Sequence, residues 1–117
     1  MAIVACSTPP GRSGLAVVRL SGKNSYITIK TFIPNKTLKK KHLFPSLVEL
    51  VDEKGEVFDQ AVVTQYLSPN SYTGEDLVEI SCHGNPIIVS KIIDLSLAAG
   101  ASIAEPGEFT KRAYMNG

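Results

Sequence analysis

Pro69–His83, PNSYTGEDLVEISCH, passes from a turn-rich loop into a strand, and the strand half decides the fold. Pro69–Asp76 holds the Pro, Asn, Ser, Gly and Asp of a loop, residues that supply fixed or positive φ and short side-chain-to-backbone bonds. Leu77–His83 then alternates. Successive strand side chains point to opposite faces, so Val78, Ile80 and Cys82 face a core while Glu79, Ser81 and His83 share a polar face. A sheet with one solvated side accounts for that pattern. That is the plainer account of the alternation; the sharper one is a ligand lying on the polar side.

Downstream, Asn85 is a helix N-cap and Pro86 suits the first helical position. Ile88, Ile92, Leu95 and Ala99 form an apolar stripe, with Lys91 and Asp94 facing out and Gly100 as the stop. Ser102–Ala104 reads as a short strand, Glu105–Phe109 as a loop and Thr110–Asn116 as the opening of another helix. A helix that short is marginal alone, which predicts a domain belonging to a longer protein.

Upstream, Ile3–Cys6 is an apolar strand, Ser7–Gly14 (STPPGRSG) a Pro/Gly loop and Leu15–Leu20 (LAVVRL) a second strand. Ser25–Ile33 is rich in β-branched residues, yet Asn24 or Ser25 as cap and Pro34 as stop predict a helix. Lys36–His42 is a polar connection. Ser46–Val51 and Val57–Leu67 are strands joined by an Asp52–Gly55 hairpin turn. The expectation is one α+β domain, a mixed β-sheet packed with two helices.

The 117 residues suit one domain, and 44% hydrophobic residues exclude a wholly disordered chain. Twelve Lys+Arg against eleven Asp+Glu leave a charge of +1, so nucleic-acid contact would need a local patch. No apolar run reaches membrane-spanning length, and the start lacks a signal-peptide pattern, which predicts no membrane association and an intracellular location. Cys6 and Cys82 lack CxxC spacing, and Cys82 and His83 point to opposite faces, so free thiols and no metal are expected.

Arg19 interrupts LAVVRL on the face of Leu15 and Val17. A guanidinium there needs a carboxylate, a ligand or open water, because a buried unpaired charge costs several kcal/mol. Glu79 is the best-placed carboxylate if the two strands are neighbours; either the residues pair with each other or both address one polar ligand. The two Pro/Gly loops would lie at the same sheet end if those strands ran parallel. Tyr72 offers a flat face for stacking. The chain contains neither GxxxxGK[ST] nor GxGxxG, and no spacing singles out a Ser–His–Asp triad. His42 and Lys39–Lys41 read as solvated, with RNA contact the alternative for the lysines.

STPPGRSGLAVVRLSG, FDQAVVTQYLSPNS, PNSYTGEDLVEISCHGNP and GASIAEPGEFTKRAYMNG together resemble the N-terminal domain of the MnmE (TrmE) tRNA-modification GTPases, in the same order and along the whole chain. The resemblance implies a tetrahydrofolate-binding, homodimerising domain over residues 1–109, similar in fold to the folate-binding domain of aminomethyltransferases (GcvT-like). Residues 110–117 would then open a central helical domain, with a potassium-dependent GTPase domain, and its magnesium and GTP, beyond them. It further implies a cytoplasmic protein that, with the flavin-binding partner MnmG (GidA), installs an aminomethyl-type group at C5 of the wobble uridine (U34) of certain tRNAs.

The family's folate-contacting arginine and glutamate fall on Arg19 and Glu79; Tyr72, Ser81 and His83 are secondary candidates, and no residue here is expected to be catalytic. The ligand would be 5-formyl- or 5,10-methylene-tetrahydrofolate. A pterin edge offers an N–H beside an amino group, to which one carboxylate can accept twice. The family's lysine contact falls directly after Asn116–Gly117. Tyr72 replaces the usual Phe, and Asn85 a frequent second Gly. Two other readings are a purely structural dimerisation domain with an incomplete folate site, and an aminomethyltransferase-like enzyme acting alone, for which no further acid–base group is visible.

Overall fold

A computed structural model describes residues 2–8 and 13–117. The elements, in chain order, are β1 (Ile3–Cys6), β2 (Ser13–Ser21), α1 (Ser25–Lys30), β3 (Ser46–Val51), β4 (Val57–Tyr66), β5 (Leu77–Gly84), α2 (Pro86–Ala98), β6 (Ser102–Ile103) and α3 (Glu108–Met115). They form an α+β domain with one six-stranded sheet in the order β3-β4-β5-β2-β1-β6. The sheet is mixed, because β1–β6 is parallel while the other four pairings are antiparallel. Two helices, α1 and α2, lie within residues 1–109 as expected, and α3 forms where the sequence opens a further helix, two residues earlier than Thr110. Of the Ser7–Gly14 loop, Ser13 and Gly14 already belong to β2, and residues 9–12 lie outside the described residues.

Alternation builds the core as the sequence requires. Val78, Ile80 and Cys82 of β5 are buried with Ala16, Val18 and Leu20 of β2 and with Ala61 and Val63 of β4. Ile29, Phe32, Ile33 and Ile92, from the segments that cover this face, complete the cluster. Each such side chain contributes about 1.5–3 kcal/mol by leaving water. Asn85 Oδ1 accepts from the Ile87 N–H at 2.8 Å, capping α2 with Pro86 as its first residue. Ile92 is fully buried and Ile88 and Leu95 half-buried, but Ala99 is exposed at the helix end. Lys91, expected to face out, is drawn to the hairpin instead, 3.5 Å from Asp52 and over the Phe58 ring.

Helix α1 forms despite its β-branched residues but stops at Lys30, three residues early. Phe32 and Ile33 leave the helix to enter the core, which holds them more strongly than a further half-turn would. The hairpin turn sits where expected. Its Asp52 Oδ1 accepts from the N–H groups of Lys54 and Glu56, and Gly55 takes φ +81°. Those bonds, led by Glu56, hold the Asp52 carboxyl below its usual pKa.

The condition for the two Pro/Gly loops to share one end of the sheet is not met. β2 and β5 are antiparallel, with Ser21 opposite Leu77 and Ser13 opposite Gly84. The loop before β5 therefore lies at the far end of the sheet from Ser13, where β2 begins. Strand direction is set by the intervening chain: β3–β4 is a hairpin, and the short Leu67–Asp76 connection makes β4–β5 antiparallel as well.

Candidate functional site

The second face of the sheet carries Leu15, Val17 and Arg19 from β2, Glu79, Ser81 and His83 from β5, and Val62, Thr64 and Tyr66 from β4. Leu15 and Leu47 are exposed there, at 64% and 60%. Register puts Thr64, Glu79, Arg19 and Ala5 in one row across four strands. Arg19 and Glu79 are thus direct cross-strand neighbours, as the sequence suggested. Arg19 Nε donates to Glu79 Oε2 at 2.7 Å, with the two side chains 34% and 21% exposed.

Tyr66 completes the group. Its hydroxyl donates to Glu79 Oε1 at 2.9 Å. Burial first, and the Glu79 carboxylate second, raise the phenol's pKa above its ordinary value. Along the chain Tyr66 is only one more residue of a strand; its alternation with Thr64 and Val62 is the available signal. His42, predicted to be solvated, is not. Its Nδ1 accepts from the Leu67 N–H at 2.9 Å, and its ring stands edge-on to Tyr66 with centroids 6.4 Å apart.

The secondary candidates lie apart from this group. Ser81, half-buried, sits between Val17 and Val62. His83 is at the other end of β5, four residues or about 13 Å from Glu79. There its Nδ1 meets Asp59 Oδ1 at 2.6 Å and its N–H donates to Asp59 Oδ2 at 3.0 Å. Tyr72 is exposed, and its hydroxyl shares a 2.9 Å hydrogen bond with Thr110 of α3.

The Pro69–Asp76 loop is tied down from both sides. Thr73 is fully buried, its hydroxyl 2.7 Å from that of Ser21, which donates to Glu75 Oε1 at 3.0 Å. Arg112 of α3 donates to Glu75 Oε1 at 3.0 Å and to Glu108 Oε2 at 3.2 Å, and Asn116 Nδ2 reaches the Thr73 carbonyl at 2.9 Å. Asp76 Oδ1 accepts from the Ser68 N–H at 2.8 Å while Lys40 lies 3.1 Å from Oδ2. Burial alone would raise the Asp76 pKa, but the Ser68 bond and Lys40 overcome it and hold the carboxyl below its usual value. Lys40 is therefore an ion-pair partner rather than a freely solvated residue.

Both cysteines are free thiols, and burial, with Asp59 next in effect, pushes Cys82 up to about 11. Among the described residues, no three His, Cys, Asp or Glu side chains converge as a metal site, and no helix is long and apolar enough to cross a membrane.

Fold and site define a one-domain α+β module with one sheet face packed and the other partly open, where Arg19 and Glu79 pair across strands and Tyr66 meets Glu79 diagonally. The chain belongs to the family described as GTP-binding protein TrmE N-terminus, whose pattern matches residues 2–117. It is 48% identical over 115 residues to a protein of Thermotoga maritima named tRNA modification GTPase MnmE, covering 98% of this chain and 25% of that protein. Proteins of the same name match from Aquifex aeolicus, at 48% over 115 residues, and from Legionella pneumophila, at 43% over 114. The shares are 98% and 97% of this chain and 25% of each relative. The chain thus spans about a quarter of the length of the curated relatives it matches.

Proposed function

We propose that this chain is the tetrahydrofolate-binding, homodimerising N-terminal domain of a tRNA-modifying GTPase. The observation that carries the reading is the partly exposed Glu79 carboxylate on the second sheet face, with one protein hydrogen bond on each oxygen. An ionised carboxylate offers about four acceptor positions, so each oxygen keeps one for a ligand. A pterin edge, with an N–H beside an amino group, fits that pair. Arg19 binds Glu79 through Nε, and its terminal amino groups suit a ligand carbonyl or the carboxylate of the glutamate tail. The residues present therefore fit the ligand, 5-formyl- or 5,10-methylene-tetrahydrofolate, whose part is to supply one carbon. Tyr72, Ser81 and His83 are left as peripheral contacts at most.

Leu15, Val62 and Leu47 on the same face support a second copy as partner, since exposed apolar clusters mark association sites. GTP hydrolysis, with its potassium and magnesium, belongs to the remaining three quarters of the full-length protein, because GxxxxGK[ST] is absent from these 117 residues. In the proposed whole, which works in the cytoplasm with the flavoprotein MnmG on the wobble uridine of tRNA, this domain holds the folate. A GcvT-like origin of the fold, and a domain limit near residue 109, belong to the same proposal.

The structural alternative has one observation in its favour: Arg19, Glu79 and Tyr66 satisfy one another without any ligand. Titration with 5-formyltetrahydrofolate, of this chain and of the full-length protein, separates the two. Heat of binding in both supports the folate domain. Heat in neither refutes it, and heat in the full-length protein alone favours the structural alternative, with residues beyond Gly117 needed to complete the site. Gel filtration should show a dimer or a concentration-dependent mixture; a strict monomer at high concentration would refute dimerisation through this domain.

A further inference from the structure

We propose that Tyr66 is a positioning residue of the pterin site, fixing the Glu79 carboxylate in the plane where both oxygens accept from one ligand edge. The inference rests on the folate reading above and deepens it.

A glutamate projecting from a strand swings about its terminal torsion, whose wells are broad. To take two parallel N–H donors, the carboxylate plane has to coincide with the plane of the ligand edge. Arg19 alone holds Oε2, at 2.7 Å, and leaves rotation about that contact. Tyr66 holds the other oxygen at 2.9 Å. The two donors also come from opposite sides, since β2 and β4 flank β5. One bond per oxygen, from two directions, removes the remaining rotation and still leaves each oxygen an acceptor position.

Tyr66 is itself held. It is half-buried, and the His42 ring stands edge-on to it at 6.4 Å. His42 is fixed in turn by the Leu67 N–H at 2.9 Å, so the support runs from backbone to imidazole to phenol to carboxylate. Burial and the neighbouring carboxylate raise the phenol's pKa above its ordinary value, in keeping with a hydroxyl that donates to Glu79. Phenylalanine at this position would preserve the ring and remove only the hydrogen bond.

The test is a double-mutant cycle in the full-length protein, reading 5-formyltetrahydrofolate affinity by calorimetry and folding by thermal unfolding. Tyr66→Phe is expected to weaken binding about three- to tenfold while its unfolding midpoint falls by only a few degrees. In a Glu79→Ala background the same substitution should change affinity less than about twofold, because the group through which it acts is gone. Unchanged affinity of Tyr66→Phe beside a binding parent overturns this inference alone. So does a loss equally large in the Glu79→Ala background. Absence of binding in the unsubstituted protein overturns the folate reading, and this inference with it.

Discussion

Glu79→Ala separates what the carboxylate does for the fold from what it does for a ligand. In the folded chain Glu79 holds two bonds, to Arg19 Nε at 2.7 Å and to Tyr66 at 2.9 Å. The ion pair is partly exposed, so it contributes about 0–1 kcal/mol. The tyrosine bond adds about 1 kcal/mol, and neither partner is sealed from water when the carboxylate goes, so no full desolvation cost follows. The sum is about 1–2 kcal/mol, which in a chain of this length lowers the unfolding midpoint by about 4–8 °C. With a methyl group in place of the carboxylate, the ligand edge loses two charge-assisted acceptors at once. Its affinity should fall by about 1–3 kcal/mol, or roughly five- to 150-fold. Calorimetric titration with 5-formyltetrahydrofolate, beside thermal unfolding of the same samples, gives both numbers. Unchanged affinity would refute the binding role. A midpoint fall beyond about 15 °C would assign Glu79 to the fold instead.

Three other outcomes follow from the geometry. Gly74→Ala should destabilise by about 1–3 kcal/mol in urea unfolding, because φ is +77° and the new Cβ would lie 2.8 Å from the Asn116 Cβ; an unchanged midpoint would mean that α3 is free of the loop. Asp76, with its pKa lowered in the folded chain, contributes stability that is present above its unfolded value near 3.8 and lost as pH falls through the folded one. Between about pH 5 and pH 2 the parent should therefore lose more stability than Asp76→Asn, and parallel curves would refute that. Cys82, buried and pushed up to about 11, should react with iodoacetamide at neutral pH far more slowly than half-exposed Cys6; equal rates by mass spectrometry would contradict the burial.

What could be read in the residues was local. The alternation Val78, Ile80, Cys82 against Glu79, Ser81, His83 needs only the strand period, and the chemistry of a guanidinium inside LAVVRL pointed from Arg19 toward Glu79. The direction of β2 relative to β5 was not readable, because these neighbours are separated by a helix and a hairpin whose connections decide it. Tyr66 was hidden for a related reason: its value lies in a partner one strand away, which no spacing along β4 reveals. Ser21, one residue past the strand read as Leu15–Leu20, carries no signal of its own, yet it bonds Thr73, 52 residues on. His42 looked like loop filler until the Leu67 N–H claimed its lone pair. Each miss is a contact between segments distant in sequence.

The parallel pairing of β1 with β6 joins Ile3 to Ser102 and Val4 to Ile103. Closing a loop of about a hundred residues carries one of the larger entropic penalties in the chain, whereas the β3–β4 hairpin closes over a few. During synthesis the hairpin can zip as soon as it emerges. The first strand, by contrast, waits with a bare outer edge until nearly the whole domain has left the ribosome. Its backbone N–H and C=O groups stay open to foreign strands for that interval, which makes Ile3–Cys6 the segment where a stalled or slowly translated chain is most exposed to aggregation.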